Sequence, residues 1–230
     1  MSDAVPAPRS EGLRDLLVPV LVIVIISAGS ALLLGLVREA TREAIAAADR
    51  AEAENALKIV LPAGLSVDVT KPFTATVNGR ELEFFAGTDE AGTLRAVAAK
   101  TASDKGYSGL IRILVGFTGL DDSGTLQVTR TYVLSHAETP GLGSKITTCQ
   151  EQTDAAACGD AFWTRFQGRA VSPGVLKPVK DGGEIQALTS ATISTRAVCD
   201  AVLEAGEYVK AHRQEILDGL RGAPGKGGTP

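Results

Sequence analysis

The sequence predicts an α+β chain: a single N-terminal transmembrane helix followed by a mostly antiparallel sheet packed with helices. Three observations carry this. Residues 16–37 run without a charge, roughly 22 positions, the length a bilayer-spanning helix needs. From Leu65 the apolar period changes from helical to alternating, with connections too short for crossover helices. Near Ser194 the helical period returns and holds to about Leu220.

Residues 1–15 form a short, polar, Pro-containing N-terminal tail. Pro19, Ser27, Gly29, Ser30 and Gly35 are tolerable inside a membrane helix over 16–37. A cleaved signal peptide would have a shorter apolar region and an Ala-x-Ala site after it, and this run has neither. Arg9 and Arg14 before the span balance Arg38 and Arg42 after it, so the basic residues do not set its orientation. Residues 38–62 read as a helical stalk with charges distributed around it, ended by Leu61-Pro62-Ala63-Gly64. A folded domain is expected over 63–221. Strands are predicted at 66–70, 73–77, 81–85, 93–99, 110–117 and 126–134, with Asn78-Gly79 as a type I′ hairpin turn. Residues 160–169 read as a short helix whose Trp163 and Phe166 belong to the core. The Gly/Pro-rich stretch 222–230 is expected to be a disordered tail.

Composition excludes several function classes. The net charge is −4, and no basic run with interleaved aromatics offers a nucleic-acid surface. Two histidines and three cysteines are too few for a recognisable cysteine–histidine metal site. Neither GxxxxGK[ST] nor GxGxxG occurs, which argues against nucleotide-triphosphate and dinucleotide folds. Aromatics make up 4% of the chain, so a large planar ligand would lean mainly on aliphatic walls. Cys149 and Cys158 bracket a short polar loop, a disulfide spacing if the domain faces an oxidising compartment. Cys199, among apolar neighbours in the last helix, reads as a buried free thiol.

The chemistry concentrates in two stretches. Thr189-Ser190-Ala191-Thr192-Ile193-Ser194-Thr195 places a run of hydroxyls at the start of the last helix. Unpaired N–H groups and the positive end of the dipole suit a phosphate there. The same residues also fit an ordinary N-cap. Glu138-Thr139-Pro140-Gly141-Leu142-Gly143 follows a strand as a loop whose glycines allow close backbone approach while Leu142 supplies an apolar wall. His136, at the strand end before it, reads as a packing or hydrogen-bonding residue rather than an acid–base group.

These two stretches, together with Gly106-Tyr107-Ser108-Gly109-Leu110-Ile111 and a single N-terminal anchor, occur in an order that resembles the G subunit of the Rnf (Rsx) electron-transport complex. The chain is similar, more distantly, to the C subunit of the sodium-pumping NADH:quinone reductase. The resemblance covers essentially the whole chain from the anchor to the final helix. It implies an FMN-binding domain with FMN joined covalently by a phosphoester to Thr192, attached by a separate flavin transferase that uses FAD. It implies a cofactor site lined by Glu138, Thr139, Gly141, Leu142, Gly143, Thr189, Ser190, Ala191 and Ile193. Lys177 and Lys180 fit either a place near the isoalloxazine or phosphate or an ordinary solvated surface. The implied function is that of a membrane-anchored electron carrier in an ion-translocating ferredoxin:NAD oxidoreductase, with the A, B, C, D and E type subunits and the lipid bilayer as partners. The implied place is the bacterial inner membrane with the domain on the periplasmic side. The family pattern has an acid six residues before the acceptor threonine and a glycine two before it; here these are Gln186 and Ser190. Gln186 keeps open an anchored, flavin-free sensor or assembly module of the same fold.

Overall fold

A computed structural model of the chain describes residues 13–69, 71–120, 125–152, 154, 156–158 and 160–220. Residues 1–12 of the predicted N-terminal tail and the whole predicted C-terminal tail lie outside the described residues. The chain divides into two units, Met1–Arg50 and Ala51–Pro230.

The described part of the first unit is helical. It belongs to α1, which runs unbroken from Leu13 to Val60. Between Leu17 and Val37 its large apolar side chains are exposed, and by length and composition alone the helix is able to cross a membrane.

The second unit is an α+β fold built on a six-stranded antiparallel sheet. Its strands are β1 (Ser66–Val67), β2 (Phe73–Val77), β3 (Arg80–Thr88), β4 (Leu94–Gly106), β5 (Gly109–Thr118) and β6 (Gln127–Ser135), ordered β1-β3-β4-β5-β6 with β2 also paired to β3. The turn between β2 and β3 has positive φ at both Asn78 (49°) and Gly79 (76°), the requirement of a type I′ hairpin. β4 and β5 are longer than their apolar runs suggest and meet at Gly106↔Gly109, so the 106–109 motif is a hairpin tip rather than a strand start.

Both faces of this sheet are covered, which is why its central strands carry continuous apolar runs. On one face Leu82, Phe84, Val97, Ile113, Val115 and Phe117 pack against Ala197, Val198, Ala201, Val202, Ala205 and Val209 of α2 (Thr192–Ala211). Small residues let α2 lie close: a Cβ on Gly206 would stand 2.6 Å from Val171 and 3.1 Å from Phe117. On the other face Ala56, Leu57, Val60 and Leu61, the end of α1, pack on Phe85, Ala96, Ala98, Leu114 and Tyr132. The Thr129 hydroxyl donates to Val60 O at 2.5 Å and caps this helix end, since Pro62 stops the helix and leaves its last carbonyls unpaired.

The predicted final helix is two helices, α2 and α3 (Arg213–Leu220), separated at His212. His212 leaves the helical region at φ −115°, ψ 27°, with its ring stacked on Tyr208 at 4.1 Å, and the turn brings Ile216 into the core. The predicted helix over 160–169 is only a 3₁₀ turn, Phe162–Arg165. The chain leaves it because Gly168 N and Arg169 O bond to Val128 across the open edge of β6. Trp163 and Phe166 are buried.

A loop covers the rest of that edge. Gln150 acts as a surrogate strand residue: its amide donates to Val133 O and accepts from Val133 N, both at 3.1 Å. Cys149 and Cys158 are joined as a disulfide, with Cα atoms 6.2 Å apart, and close this loop. The buried Arg130 lies 3.5 Å from the Trp163 ring centroid and donates to Gln150 O at 2.8 Å; burial holds its pKa below the usual arginine range. Replacing both cysteines by serine is expected to lower unfolding stability by about 2–4 kcal/mol, read from urea midpoints. A change within error would show that the cross-link adds nothing to the edge cover.

Candidate functional site

Three segments converge beside the N-terminus of α2: the 106–109 hairpin tip, the 138–143 loop and residues 190–194. Between them is a cleft of about 500 Å³ lined by Tyr107, Glu138, Thr139, Leu142, Gly143, Ser190, Ala191, Thr192, Ile193 and Ser194. A larger groove of about 640 Å³ runs between the β2–β3 hairpin and α2. Its charges are already engaged, Arg80 with Asp104 and Glu204, and Lys105 with Asp200. The smaller cleft is therefore the better ligand site.

The helix start in this cleft is open. Ala191 is the N-cap and no side chain caps it. The first ladder bond is Thr195 N to Ala191 O, so the N–H groups of Thr192, Ile193 and Ser194 have no protein acceptor among the described residues. Serine and threonine usually serve this role, but here they are used elsewhere. Ser194 is buried and donates to Glu138 Oε2 at 2.5 Å. Thr195 accepts from Leu188 N at 3.1 Å and donates to Ala191 O at 3.0 Å. The expectation that Ser194 and Thr195 cap the helix is thus corrected. Thr192 is the first helical residue, half-buried, and its hydroxyl has no partner among the described residues. Free N–H donors and a free hydroxyl in one cleft suit a phosphate, because the dipole stabilises an anion here by about 0.3–1 kcal/mol or more.

Glu138 holds the cleft together. Only 5% exposed, its carboxylate accepts from Ser194 Oγ and, through Oε1, from Ser108 N at 3.1 Å. It fits a slot between two glycines. A Cβ on Gly106 would stand 2.7 Å from Oε1, and one on Gly143 would stand 2.7 Å from Ser194 Oγ and closer still to the carboxylate. His136 Nδ1 accepts from Glu138 N at 3.1 Å, the hydrogen-bonding role read from its position.

Of the residues singled out from sequence, Glu138, Thr139, Leu142, Gly143, Ser190, Ala191, Thr192 and Ile193 line the cleft. Gly141 and Thr189 flank it without lining it; Gly141 takes φ 75° in the loop turn and Thr189 is exposed. Lys177 does not reach it: it lies beside Asp181, whose carboxyl the Arg196 guanidinium holds below its usual range, with Lys177 adding to the effect. Lys180 is exposed next to Asp181. Tyr107 and Ser194 belong to the cleft and were not assigned to it from sequence. Tyr107 was signalled by the 106–109 motif; Ser194 carried no signal beyond its hydroxyl.

Residues 106–207 match the FMN-binding domain family. The G subunit of the ion-translocating oxidoreductase complex of Vibrio atlanticus (strain LGP32) is 32% identical over 210 residues, 86% of this chain and 91% of that one. The chain belongs to the family of these G subunits. The counterpart in Vibrio vulnificus (strain YJ016) is 42% identical over 130 residues, 55% of either chain, so that alignment spans about half the relative's length. The counterpart in Methanosarcina acetivorans is 29% identical over 195 residues, 84% of this chain and 93% of that one. Shewanella oneidensis NqrC superposes with a TM-score of 0.44 at 20% identity, over 65% of this chain and 70% of that one.

Ser190, where the resemblance expects glycine, takes φ 63°, in the left-handed region that costs a side chain about 1–2 kcal/mol. Ser190→Gly is therefore expected to stabilise the domain by up to about 1 kcal/mol after the added unfolded-state entropy of glycine, read from urea midpoints. Beneath the cleft, Cys199 is fully buried and burial pushes its thiol from 9.0 up to about 12. An unfolded thiol ionises above pH 9 while the folded one stays protonated, so its contribution to stability is complete below pH 9 and is lost as pH rises toward 12. A disulfide-exchange reagent at about pH 8 is expected to find no thiol in the folded, unreduced chain and to label Cys199 after denaturation.

Proposed function

We propose that this chain is a membrane-anchored electron carrier with FMN attached through a phosphoester to Thr192. It works within an ion-translocating oxidoreductase complex of the Rnf type. The observation that carries this reading is the unpartnered Thr192 hydroxyl at an uncapped helix start, inside the segment that matches the FMN-binding family. The cleft residues fit the group: N–H donors for a phosphate, a hydroxyl for the ester, and exposed apolar side chains for a ring system.

When bound, FMN supplies electron transfer in one- and two-electron steps. Thr192 Oγ1 would hold the phosphoester, which would keep the cofactor in place through repeated turnover. The N–H groups of Thr192, Ile193 and Ser194, which have no acceptor among the described residues, would bind the phosphate. Leu142, Ile193 and Tyr107, at 43%, 46% and 70% exposure, offer the walls against which a planar ring packs. No side chain is required to move a proton. A flavin transferase would exchange the phosphoanhydride of FAD for the ester at Thr192, with AMP as the leaving group and the hydroxyl proton released. The exposed position of Gln186 leaves it accessible to such an enzyme, although its own carbonyl accepts from Arg165 at 2.5 Å.

The exposed apolar run of α1 supports anchoring in the inner membrane, and the Cys149–Cys158 disulfide supports a domain on the oxidising, periplasmic side. The other subunits of the complex are its expected redox partners.

The full chain co-expressed with its transferase is expected to fluoresce in a denaturing gel and to carry an FMN-sized mass on the peptide containing Thr192. Thr192→Ala is expected to abolish both. A wild-type chain without flavin would favour the flavin-free module instead. Gln186→Asp is expected to leave flavinylation equal or to raise it; a fall would show that the transferase does not look for an acid there.

A further inference from the structure

Glu138 stands out in the cleft because its carboxylate is already committed to the protein. Both oxygens accept from neutral donors, Ser108 N on the hairpin tip and Ser194 Oγ on the first turn of α2. No ion pair to it occurs among the described residues, so a buried negative charge lies unneutralised in the cleft wall. Its slot is also rigid: Gly106 and Gly143 approach so closely that neither position has room for a side chain. A carboxylate buried this way stays in place only while its donors do. The three segments that line the cleft are therefore fixed to one another through this one group.

We propose that Glu138 acts as a positioning residue in the wall of the cleft. Its carboxylate ties the Tyr107 hairpin tip to the start of α2 and so sets the Thr192 hydroxyl and the ring-binding walls in register. The same unneutralised charge opposes the extra negative charge of the reduced flavin and holds its midpoint potential down. The inference rests on the covalent-flavin reading above, but the latch itself is also measurable without flavin.

Glu138→Gln keeps an acceptor for Ser108 N and a group able to bond Ser194 while removing the charge. Glu138→Ala removes both arms, and Ser194→Ala removes one. In the full-length apo chain, made without transferase, hydrogen exchange at the Ser108 amide is expected to quicken about tenfold or more in Glu138→Ala and to stay near wild type in Glu138→Gln. Ser194→Ala is expected to loosen the amides of residues 195–198. With transferase present, the flavinylation rate is expected to fall by about tenfold in Glu138→Ala and to be rescued in Glu138→Gln, because misplacing the attacking hydroxyl costs rate. Spectroelectrochemistry of flavinylated Glu138→Gln is expected to give a midpoint potential above wild type. Wild-type exchange in apo Glu138→Ala, or in Ser194→Ala if the former does not fold, overturns the latch. An unchanged potential in Glu138→Gln overturns the electrostatic role. Absence of flavin on the wild-type chain defeats the covalent-flavin reading, while the apo exchange result still decides the latch.

Discussion

The cleft depends on a single constraint, the burial of the Glu138 carboxylate. A carboxylate at 5% exposure, with no ion pair to it among the described residues, must be satisfied by hydrogen bonds, or it would cost several kcal/mol. Ser108 N and Ser194 Oγ satisfy it from opposite sides. These donors lie 86 residues apart along the chain, on the tip of a hairpin and the first turn of a helix. Meeting at one carboxylate fixes the relative placement of both elements, and so the width of the cleft between them. The demand also explains the local composition. Gly106 and Gly143 are needed because the carboxylate and Ser194 occupy the space a Cβ would take.

The sheet provides the rigidity that this arrangement needs. α2 covers one face and the end of α1 covers the other, so β4 and β5 are buried on both sides. Fully covered strands have little freedom to slide, and the β4–β5 hairpin carries the Ser108 amide at its tip. Gly116 plays on the α1 side the part Gly206 plays on the α2 side: a Cβ there would collide with Val60 O and the Thr129 hydroxyl. The end of α1, residues 56–60, is thus keyed into the same strand, β5, that begins beside the cleft.

Most of the architecture was legible because it follows from local rules. The uncharged run 16–37, the Asn78-Gly79 turn and the apolar β5 each dictate their own structure. What was not legible is non-local. The split at His212 reflects Ile216 seeking the core, a tertiary choice invisible in a continuous helical period. The 3₁₀ turn at Phe162–Arg165 stays short because residues 168–171 are taken by the edge of β6. Within the cleft, motif residues were found because they cluster in sequence, whereas Ser194 gains its role only from a partner 56 positions away. Lys177 illustrates the opposite error. A lone lysine upstream of the site invites an anion-binding role, but the chain sets it beside Asp181 and Arg196.

The remaining irregularities fall in one place. Ser190 adopts a left-handed φ that glycine would take more easily, and α2 begins without a side-chain cap although hydroxyls surround its start. The Thr192 hydroxyl has no partner among the described residues, and Tyr107 stands 70% exposed on a hairpin tip. Each is unfavourable for a domain selected only for stability: left-handed backbone, an unsatisfied helix start and an exposed aromatic all lower it or invite association. Scattered over a surface they would mean little. Gathered around about 500 Å³, beside a buried carboxylate that bonds to two of the walls, they are what a site shaped for a phosphate-bearing planar group would be expected to tolerate. The doubly covered sheet, whose β4–β5 hairpin carries Tyr107 at its tip, is the frame that tolerates them.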